Sequence, residues 1–154
     1  VYFYGKGDIF SNWQPANFLD PVLQVDFANT EQAFMAYKAF FFQDDAALTK
    51  IKQETSASKV KELGREIRWY NEKAWQAVRY GYMVWVNYLK YSKNEEYKEF
   101  LLNTQDKILV EASPYDRVWG VGLGEDDPLI LDEKNWKGQN LLGKALMDVR
   151  DYYL

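Results

Sequence analysis

The sequence predicts a mainly α protein of the α+β class, a single domain over residues 1–154 with about six helices and a few short β-strands. The first observation is the spacing of apolar residues, which recur at steps of three and four along residues 71–92 and along several shorter segments. The second is that the β-prone runs are few and short. The third is length, because 154 residues favour one domain.

The β-prone residues lie mostly in the N-terminal part of the chain. Residues 1–4 predict a strand, which a glycine-rich turn at 5–8 ends. Pro15 is expected to leave the sheet, because it has no N–H group to donate to a neighbouring strand. Residues 18–19 and 23–27 then predict two more short strands that form a hairpin.

A small polar pair, Ser11 and Asn12, stands between the rings of Phe10 and Trp13. Hydroxyl and amide groups can hydrogen-bond a ligand, and the indole offers a flat apolar face. We therefore interpret Ser11, Asn12 and Trp13 as candidate ligand contacts.

The first helix is predicted over residues 31–43, with Thr30 as its N-cap and Glu31 in its first turn. Glu31 and Lys38 are seven residues apart, so both lie on one helix face with Met35 between them. This face carries charge while the neighbouring face is apolar. Glu31 is either a functional carboxylate or a helix-start acid that complements the helix dipole, and spacing alone does not decide between them.

Four further helices follow before residue 103. Asp44 or Asp45 can cap the second helix, and Ser56 or Ser58 can cap the third. Arg65 and Arg68 lie at i, i+3 on the third helix, a spacing that allows both to grip one phosphate or simply to face water. The predicted segments are 44–52, 56–67, 71–92 and 95–102.

Residues 107–111 predict a buried strand that leads into a long segment, 111–143, whose apolar residues follow neither a strand nor a helix period. This segment is rich in aromatic residues, unlike a disordered linker. A long ordered loop is usually functional, so we interpret it as one wall of a ligand site. The alternative is a structural Ω-loop whose tryptophans fill the core. Its rings are Tyr115, Trp119 and Trp136, and its polar groups include Glu111, Asp116 and Asn140.

A closing helix is predicted at residues 141–153 from its apolar stripe. Asn140 either caps this helix, or the helix N-terminus that it precedes faces an anion. No internal repeat and no low-complexity tract interrupts the chain.

Composition excludes several kinds of chemistry. The chain has no Cys and no His, so it cannot form a thiolate nucleophile, a Cys/His zinc site or a Ser-His-Asp triad. Its aromatic fraction of 18% indicates rings on a surface that binds something flat. A net charge of −4 argues against non-specific duplex binding. With no leader and no long apolar run, we expect a cytoplasmic protein with no membrane partner.

Six blocks of sequence, in order along nearly the whole chain, resemble the NADAR (YbiA-like) family. Any one block is weak evidence, but together they are specific. They are FYG at 3–5, FSNW at 10–13, TEQAFMAYKA at 30–39, LGREIR at 63–68, LVEASPYDRVWGVGL at 109–123 and WKGQNLLGKALMDVR at 136–150.

This resemblance implies a YbiA-like fold and an N-glycosidase that acts on ribosylated compounds. Similar proteins cleave the ribosylaminopyrimidine phosphate intermediates of riboflavin biosynthesis, and relatives remove ADP-ribose from guanine in nucleic acid. The expected partner is therefore a small ribosylated, phosphorylated substrate, with ADP-ribosylated nucleic acid as the alternative. No cofactor and no metal are expected.

The resemblance also implies site residues. The family's acidic and lysine positions fall on Glu31 and Lys38, while Gln32 stands where the family commonly has His, which puts an acid-base role there in doubt. The D-x-x-W-G block falls on Asp116, Trp119 and Gly120, and the G-x-N block ends at Asn140.

Cleavage of an N-glycosidic bond needs stabilisation of positive charge at C1′, a directed water and help for the departing base. Glu31 is assigned to the first two tasks and Asp116 to the base edge or ribose hydroxyls. Lys38 is alternatively a nucleophile that forms a Schiff base with an opened ribose. For binding, Trp119 stacks on the heterocycle, opposite Trp13 or Trp136, and the phosphate is held by Arg65, Arg68 or Lys38.

Two further classes remain open. A non-catalytic module could bind ADP-ribose or a nucleotide through the same aromatic residues without an aligned carboxylate. A protein-interaction domain could instead expose the surplus rings as a patch. The sequence does not distinguish a free pyrimidine from a base in a polynucleotide.

Overall fold

A computed structural model describes all residues, 1–154, and confirms the mainly α fold with six α-helices and a few short strands. No helix combines the length and the apolar character needed to cross a membrane. Two short 3-10 turns, Pro128–Leu131 and Glu133–Asn135, lie in the long loop. The helices are α1 Thr30–Phe41, α2 Asp45–Gln53, α3 Ala57–Arg65, α4 Glu72–Lys93, α5 Glu95–Leu102 and α6 Leu141–Tyr153, and the strands are β1 Tyr2–Phe3, β2 Pro15–Asp20, β3 Val25–Asn29 and β4 Val110–Glu111.

The strands form two separate two-stranded sheets. β1 pairs in parallel with β4, and β2 pairs antiparallel with β3 with a register shift between Pro15 and Phe18. The expectation that Pro15 leaves the sheet is wrong, because Pro15 opens β2 opposite Asn29. The first position of a strand tolerates a residue that cannot donate. The strand predicted at 107–111 is only Val110–Glu111.

The helix boundaries follow side-chain caps. Asn29 caps α1 by accepting a hydrogen bond from the backbone N–H of Gln32, so the prediction of Thr30 as the N-cap is wrong. Asp44, Ser56 and Asn71 cap α2, α3 and α4 in the same way. Both α1 and α3 end two residues before the predicted limits.

α1 is the central helix of the molecule. It packs against α2, α3 and α4, and nearly every one of its residues is buried. The apolar stripe of α4 includes the buried Trp75, Met83 and Leu89. This long helix also packs against α5 and α6. A helix surrounded in this way holds its first turn, and therefore Glu31, in a fixed place inside the protein.

The loop after β4 is ordered although it has little regular structure. A small apolar cluster that includes Val121 and Ile130 anchors it, and Trp136 packs on this cluster with its Nε1 donating to the carbonyl of Ile130 at 2.9 Å. At Gly138 a Cβ atom would stand 2.2 Å from the carbonyl oxygen of Gly120, so only glycine allows the loop to cross itself there. The crossing brings residues 111–119 against α1.

Candidate active site

A cavity of about 800 Å³ lies between the first turn of α1, helix α3, the N-terminal loop and residues 111–119. This volume is within the range of small-molecule sites. The structure brings together most of the residues singled out from the sequence, including Glu31 and Trp119 from distant parts of the chain. The predicted residues that line the cavity are Ser11, Asn12, Trp13, Glu31, Lys38, Arg65, Asp116 and Trp119.

Glu31 is a buried carboxyl with no hydrogen-bond partner. Its backbone N–H donates to the carbonyl of Asn12 at 3.1 Å, which fixes the start of α1 against the N-terminal loop. The side chain is only 9% exposed and forms neither a hydrogen bond nor an ion pair with the rest of the chain. Burial raises the pKa of Glu31 to about 7; Asp116 adds to the rise, while Lys61 and Lys38 oppose it.

Glu111 is a second buried carboxyl in the same cavity. Its Oε2 atom is buried without a hydrogen-bond partner. Burial raises the pKa of Glu111 to about 8, with further contributions from Asp116 and Glu31 and an opposing one from Lys61. The sequence indicated that a buried strand delivers Glu111 to the loop, but that signal gave it no chemical role.

One carboxylate oxygen of Asp116 accepts hydrogen bonds from the loop, and the other is left for the cavity. Oδ1 accepts hydrogen bonds from the backbone N–H groups of Val118 at 2.9 Å and Trp119 at 2.8 Å. Oδ2 has no partner in the chain. The carboxylate therefore sets the direction of Trp119 and leaves one oxygen free for a ligand.

The ring of Trp119 meets the edge of Phe34 at 5.3 Å between centroids and lines the cavity. Trp13 lines the cavity as well and is half-buried. Trp136 does not belong to this set, because its indole fills the small cluster under the loop and its N–H is used by Ile130. The Ω-loop alternative thus describes Trp136, whereas Trp119 both packs against the core and lines the cavity.

Lys90 of α4 fixes the N-terminal loop that carries Ser11 and Asn12 by hydrogen bonds to its backbone. This fully buried lysine donates to the carbonyls of Ile9 at 2.5 Å and Ser11 at 3.1 Å, and burial lowers its pKa to about 7. The Oδ1 atom of Asn12 is buried without a partner.

Lys38 lines the cavity but is not paired with Glu31. Its Nζ donates to the carbonyl of Gly64 at 3.0 Å and lies 4.7 Å from the ring centroid of Tyr70. No carboxylate lies within ion-pair distance. Burial lowers the pKa of Lys38, against the opposing effects of Glu72 and Glu31.

The cations at the cavity come chiefly from α3. Arg65 and Lys61 are four residues apart on one face of this helix, and both line the cavity. Lys61 was missed, although its i, i+4 spacing from Arg65 was a readable signal. Arg68 lies elsewhere because α3 has already ended; its guanidinium contacts Asp44 at 3.0 Å, which lowers the pKa of that carboxyl.

Three more sequence-predicted residues serve the fold rather than the cavity. Gln32 is buried, accepts from the N–H of Ala28 at 2.8 Å and donates to Ile51 and Lys52 carbonyls at 3.0 and 3.2 Å. Gly120 is a packing position, where a Cβ atom would stand 2.9 Å from the carbonyl of Asp116. Asn140 stands at the N-cap position of α6 but makes no capping hydrogen bond; its amide instead accepts from the N–H of Glu111 and donates to the carbonyl of Leu109.

The structure contains no group of three or more acidic, His or Cys side chains arranged to hold a metal ion. The cavity instead combines unpaired carboxyls at its floor, two indoles at its walls and cations on α3. Such a set can bind a flat, phosphorylated molecule and stabilise a developing positive charge.

Comparisons with known proteins agree with this description. The profile of the NADAR domain matches residues 2–153. The N-glycosidase R617 of Acanthamoeba polyphaga mimivirus is 38% identical, over 98% of this chain and 94% of that protein. The NMR structure of the E. coli protein YbiA superposes with a TM-score of 0.80 at 26% identity, over 99% of this chain and 83% of that one. The chloroplastic riboflavin biosynthesis protein PYRR of Zea mays is 28% identical over the whole chain, which spans 25% of that larger protein.

Proposed function

We propose, from the premise that this chain belongs to the NADAR domain family, that it hydrolyses the N-glycosidic bond of a ribosylaminopyrimidine phosphate. The enzyme class is that of its curated relatives: it is a hydrolase of N-glycosyl compounds. That the leaving group is a pyrimidine is a more specific proposal than the enzyme class. It is supported by the similarity to a riboflavin biosynthesis protein and by a cavity whose volume suits a small molecule.

One observation carries the mechanism: the carboxyl of Glu31 lies in a closed part of the cavity, and neither of its oxygens has a partner in the chain. A carboxylate left unpaired in such a place stabilises positive charge strongly when that charge develops. Glu31 therefore faces C1′ of the ribosyl group, stabilises its oxocarbenium-like transition state and accepts a proton from the attacking water.

The other residues bind and orient the substrate. Trp119 stacks on the pyrimidine, a contact worth about 1–3 kcal/mol per base in nucleic-acid complexes. The free Oδ2 of Asp116 accepts from the base edge or a ribose hydroxyl. Arg65, with Lys61 one turn away, holds the phosphate at the mouth of the cavity.

Lys38 offers a second route, since its lowered pKa increases the fraction of free amine that could attack an opened ribose. Borohydride reduction during turnover separates the routes. A substrate-dependent adduct on Lys38 would replace direct water attack by a Schiff base, whereas turnover without any adduct supports the water.

The function is tested by incubating the protein with ribosylaminopyrimidine phosphate, other ribosylated amines and ADP-ribosylated guanine in DNA. Mass spectrometry follows the released sugar. We expect ribose 5-phosphate from the pyrimidine substrate. Release only from the modified DNA would contradict the proposed leaving group, and calorimetric binding of ADP-ribose without any product would contradict catalysis.

A further inference from the structure

Glu111 is unused in the mechanism above, although it lies in the same cavity as Glu31 and Asp116. Its position is fixed by the backbone: its N–H donates to Oδ1 of Asn140 at 3.0 Å, and its carbonyl accepts from Val121 at 3.0 Å. β4 also pairs it with Phe3 of β1. These bonds fix the backbone from which the Glu111 side chain reaches the cavity that it lines.

The surroundings of Glu111 favour its neutral form. An ionised carboxylate needs donors on both oxygens, and the buried Oε2 has none. The other oxygen, Oε1, also lacks a partner in the chain but is not buried, so it faces the cavity. The arrangement of lowest free energy has an unprotonated, carbonyl-like Oε2 in the protein interior and a protonated Oε1 that faces the ligand.

The chemistry of the substrate requires such a proton donor. When the bond between C1′ and nitrogen breaks, the electron pair stays on nitrogen, and an amide-like anion is a poor leaving group. A positioned acid removes this obstacle by protonating the nitrogen as it departs. Asp116 accepts two backbone N–H groups, which favours its ionised form and makes it a poor proton donor.

We propose that Glu111 is the general acid of this enzyme, donating the proton of Oε1 to the departing nitrogen while Glu31 takes a proton from the attacking water. This inference rests on the N-glycosidase function proposed above. The bond between C1′ and nitrogen breaks, a bond between C1′ and oxygen forms, and the products are ribose phosphate and the free amine. Glu111 ends ionised and Glu31 protonated, and solvent returns the proton to Glu111.

The charges around Glu31 and Glu111 favour a neutral Glu111 and an ionised Glu31 before the reaction. Asp116 from the same loop and Glu31 from α1 face Glu111 and disfavour its ionisation, while Lys61 from α3 opposes them. Lys61 and Lys38 favour ionisation of Glu31. Lys38 acts on Glu31 but not on Glu111, which favours placing the charge of the singly ionised pair on Glu31.

The test compares two substrates that differ only in their leaving group: the ribosylaminopyrimidine phosphate and 4-nitrophenyl riboside 5-phosphate. Nitrophenolate departs without protonation, so it does not need the acid. We expect Glu111→Gln to lower kcat on the amine substrate by about 10²–10⁴-fold and on the nitrophenyl substrate by less than about tenfold. Glu31→Gln should lower both severely.

A pH profile of the unmodified enzyme gives the same test without a substitution. The rate with the amine substrate should fall above about pH 8 as Glu111 ionises. With the nitrophenyl substrate this alkaline limb should be absent. Glu125→Gln, which changes an exposed glutamate of the same loop, is the matched control and should leave both profiles unchanged.

Equal losses on both substrates in folded Glu111→Gln, or an alkaline limb with both substrates, would overturn the assignment and leave Glu111 a structural residue. Normal turnover of the amine substrate by Glu111→Gln would overturn it as well. Failure of the unmodified enzyme to release sugar from either substrate would instead overturn the N-glycosidase function itself.

Discussion

Glu31 and Gln32 are neighbours in sequence, yet they belong to two regions that differ in whether their buried polar groups have hydrogen-bond partners. Glu31 faces the cavity, where it has no partner and where Glu111 and Asp116 also keep free oxygens. Gln32 faces the junction of α1, α2 and α3, where its amide makes three hydrogen bonds. On the other side of this junction, at the N-terminal end of α2, the carboxylate of Asp44 accepts from Ala47 and Arg68.

The difference separates polar groups that hold the fold from polar groups kept for a ligand. A buried polar group without a partner costs about 1–3 kcal/mol, so several unpaired carboxyl oxygens around one cavity point to a ligand that pairs them. At the junction this cost is removed by hydrogen bonds. In the cavity it is kept, which makes the carboxyls available for chemistry, and burial raises the pKa values of Glu31 and Glu111.

The largest expected effect is the loss of activity in Glu31→Gln. Because this group acts at the reacting carbon, kcat should fall by about 10³-fold or more, on the scale of removing a principal catalytic residue. Stability at pH 8 should not fall, since no hydrogen bond is lost. Steady-state kinetics and urea unfolding measure the two quantities, and near-normal turnover would remove Glu31 from the mechanism.

The second effect is the contribution of the two cavity carboxyls to the pH dependence of stability, which the buried Lys90, with its lowered pKa, opposes above about pH 7. The pKa values of Glu31 and Glu111 are raised in the folded state, so the folded protein binds more protons than the unfolded chain between about pH 4.5 and pH 8. The free energy of unfolding should therefore fall as pH rises through this window. The expected fall is a few kcal/mol, since a tenfold change in proton affinity corresponds to about 1.4 kcal/mol.

The double variant Glu31→Gln/Glu111→Gln should flatten this dependence and be the more stable protein at pH 8. Urea unfolding at half-unit pH steps measures both proteins. An unchanged slope in the double variant would show that other groups cause the pH dependence.

The third effect is a stability loss at the junction. Gln32→Ala removes the partner of the Ala28 N–H and of two α2 carbonyls, so the free energy of unfolding should fall by roughly 2–4 kcal/mol. The folded fraction should keep far more activity than Glu31→Gln does. Thermal and urea unfolding measure the loss, and a variant as stable as the parent would contradict the assigned hydrogen bonds.

The smallest expected effect is a difference between Arg65 and Arg68, three residues apart, in their influence on KM and on the melting temperature. Arg65→Met should raise KM for the phosphorylated substrate by about tenfold, because a charge-assisted hydrogen bond to phosphate is lost. It should leave the melting temperature unchanged. Arg68→Met should leave KM unchanged and lower the melting temperature, since it loses the contacts with Asp44 and the Trp69 ring and none in the cavity. Equal KM values in the two variants would contradict the phosphate position.

Sequence periodicity was sufficient for the helices and for the shared face of Glu31, Met35 and Lys38, because both depend on neighbours within a few turns. It did not separate Arg65 from Arg68, since one missing turn at the end of α3 sends the second side chain to Asp44. Nor did it show which indole fills the loop, because Trp136 and Trp119 differ only in long-range contacts.

The same limit applies to polar residues. That Gln32 is structural depends on α2 carbonyls about twenty residues away, which no local pattern reveals. That Glu111 belongs to the site depends on the loop crossing at Gly138. Local rules also gave the wrong cap for α1, because both Asn29 and Thr30 have side chains suited to that position.

The most direct test of the distinction between the cavity and the junction is a carbon-13 NMR titration of the side-chain carboxyls. The account predicts that the Glu31 and Glu111 pair titrates with apparent pKa values of about 7 and about 8, while Asp44 titrates below its ordinary range. Midpoints near the ordinary glutamate value for both cavity residues would show that these carboxyls are solvated or paired, and would contradict the account.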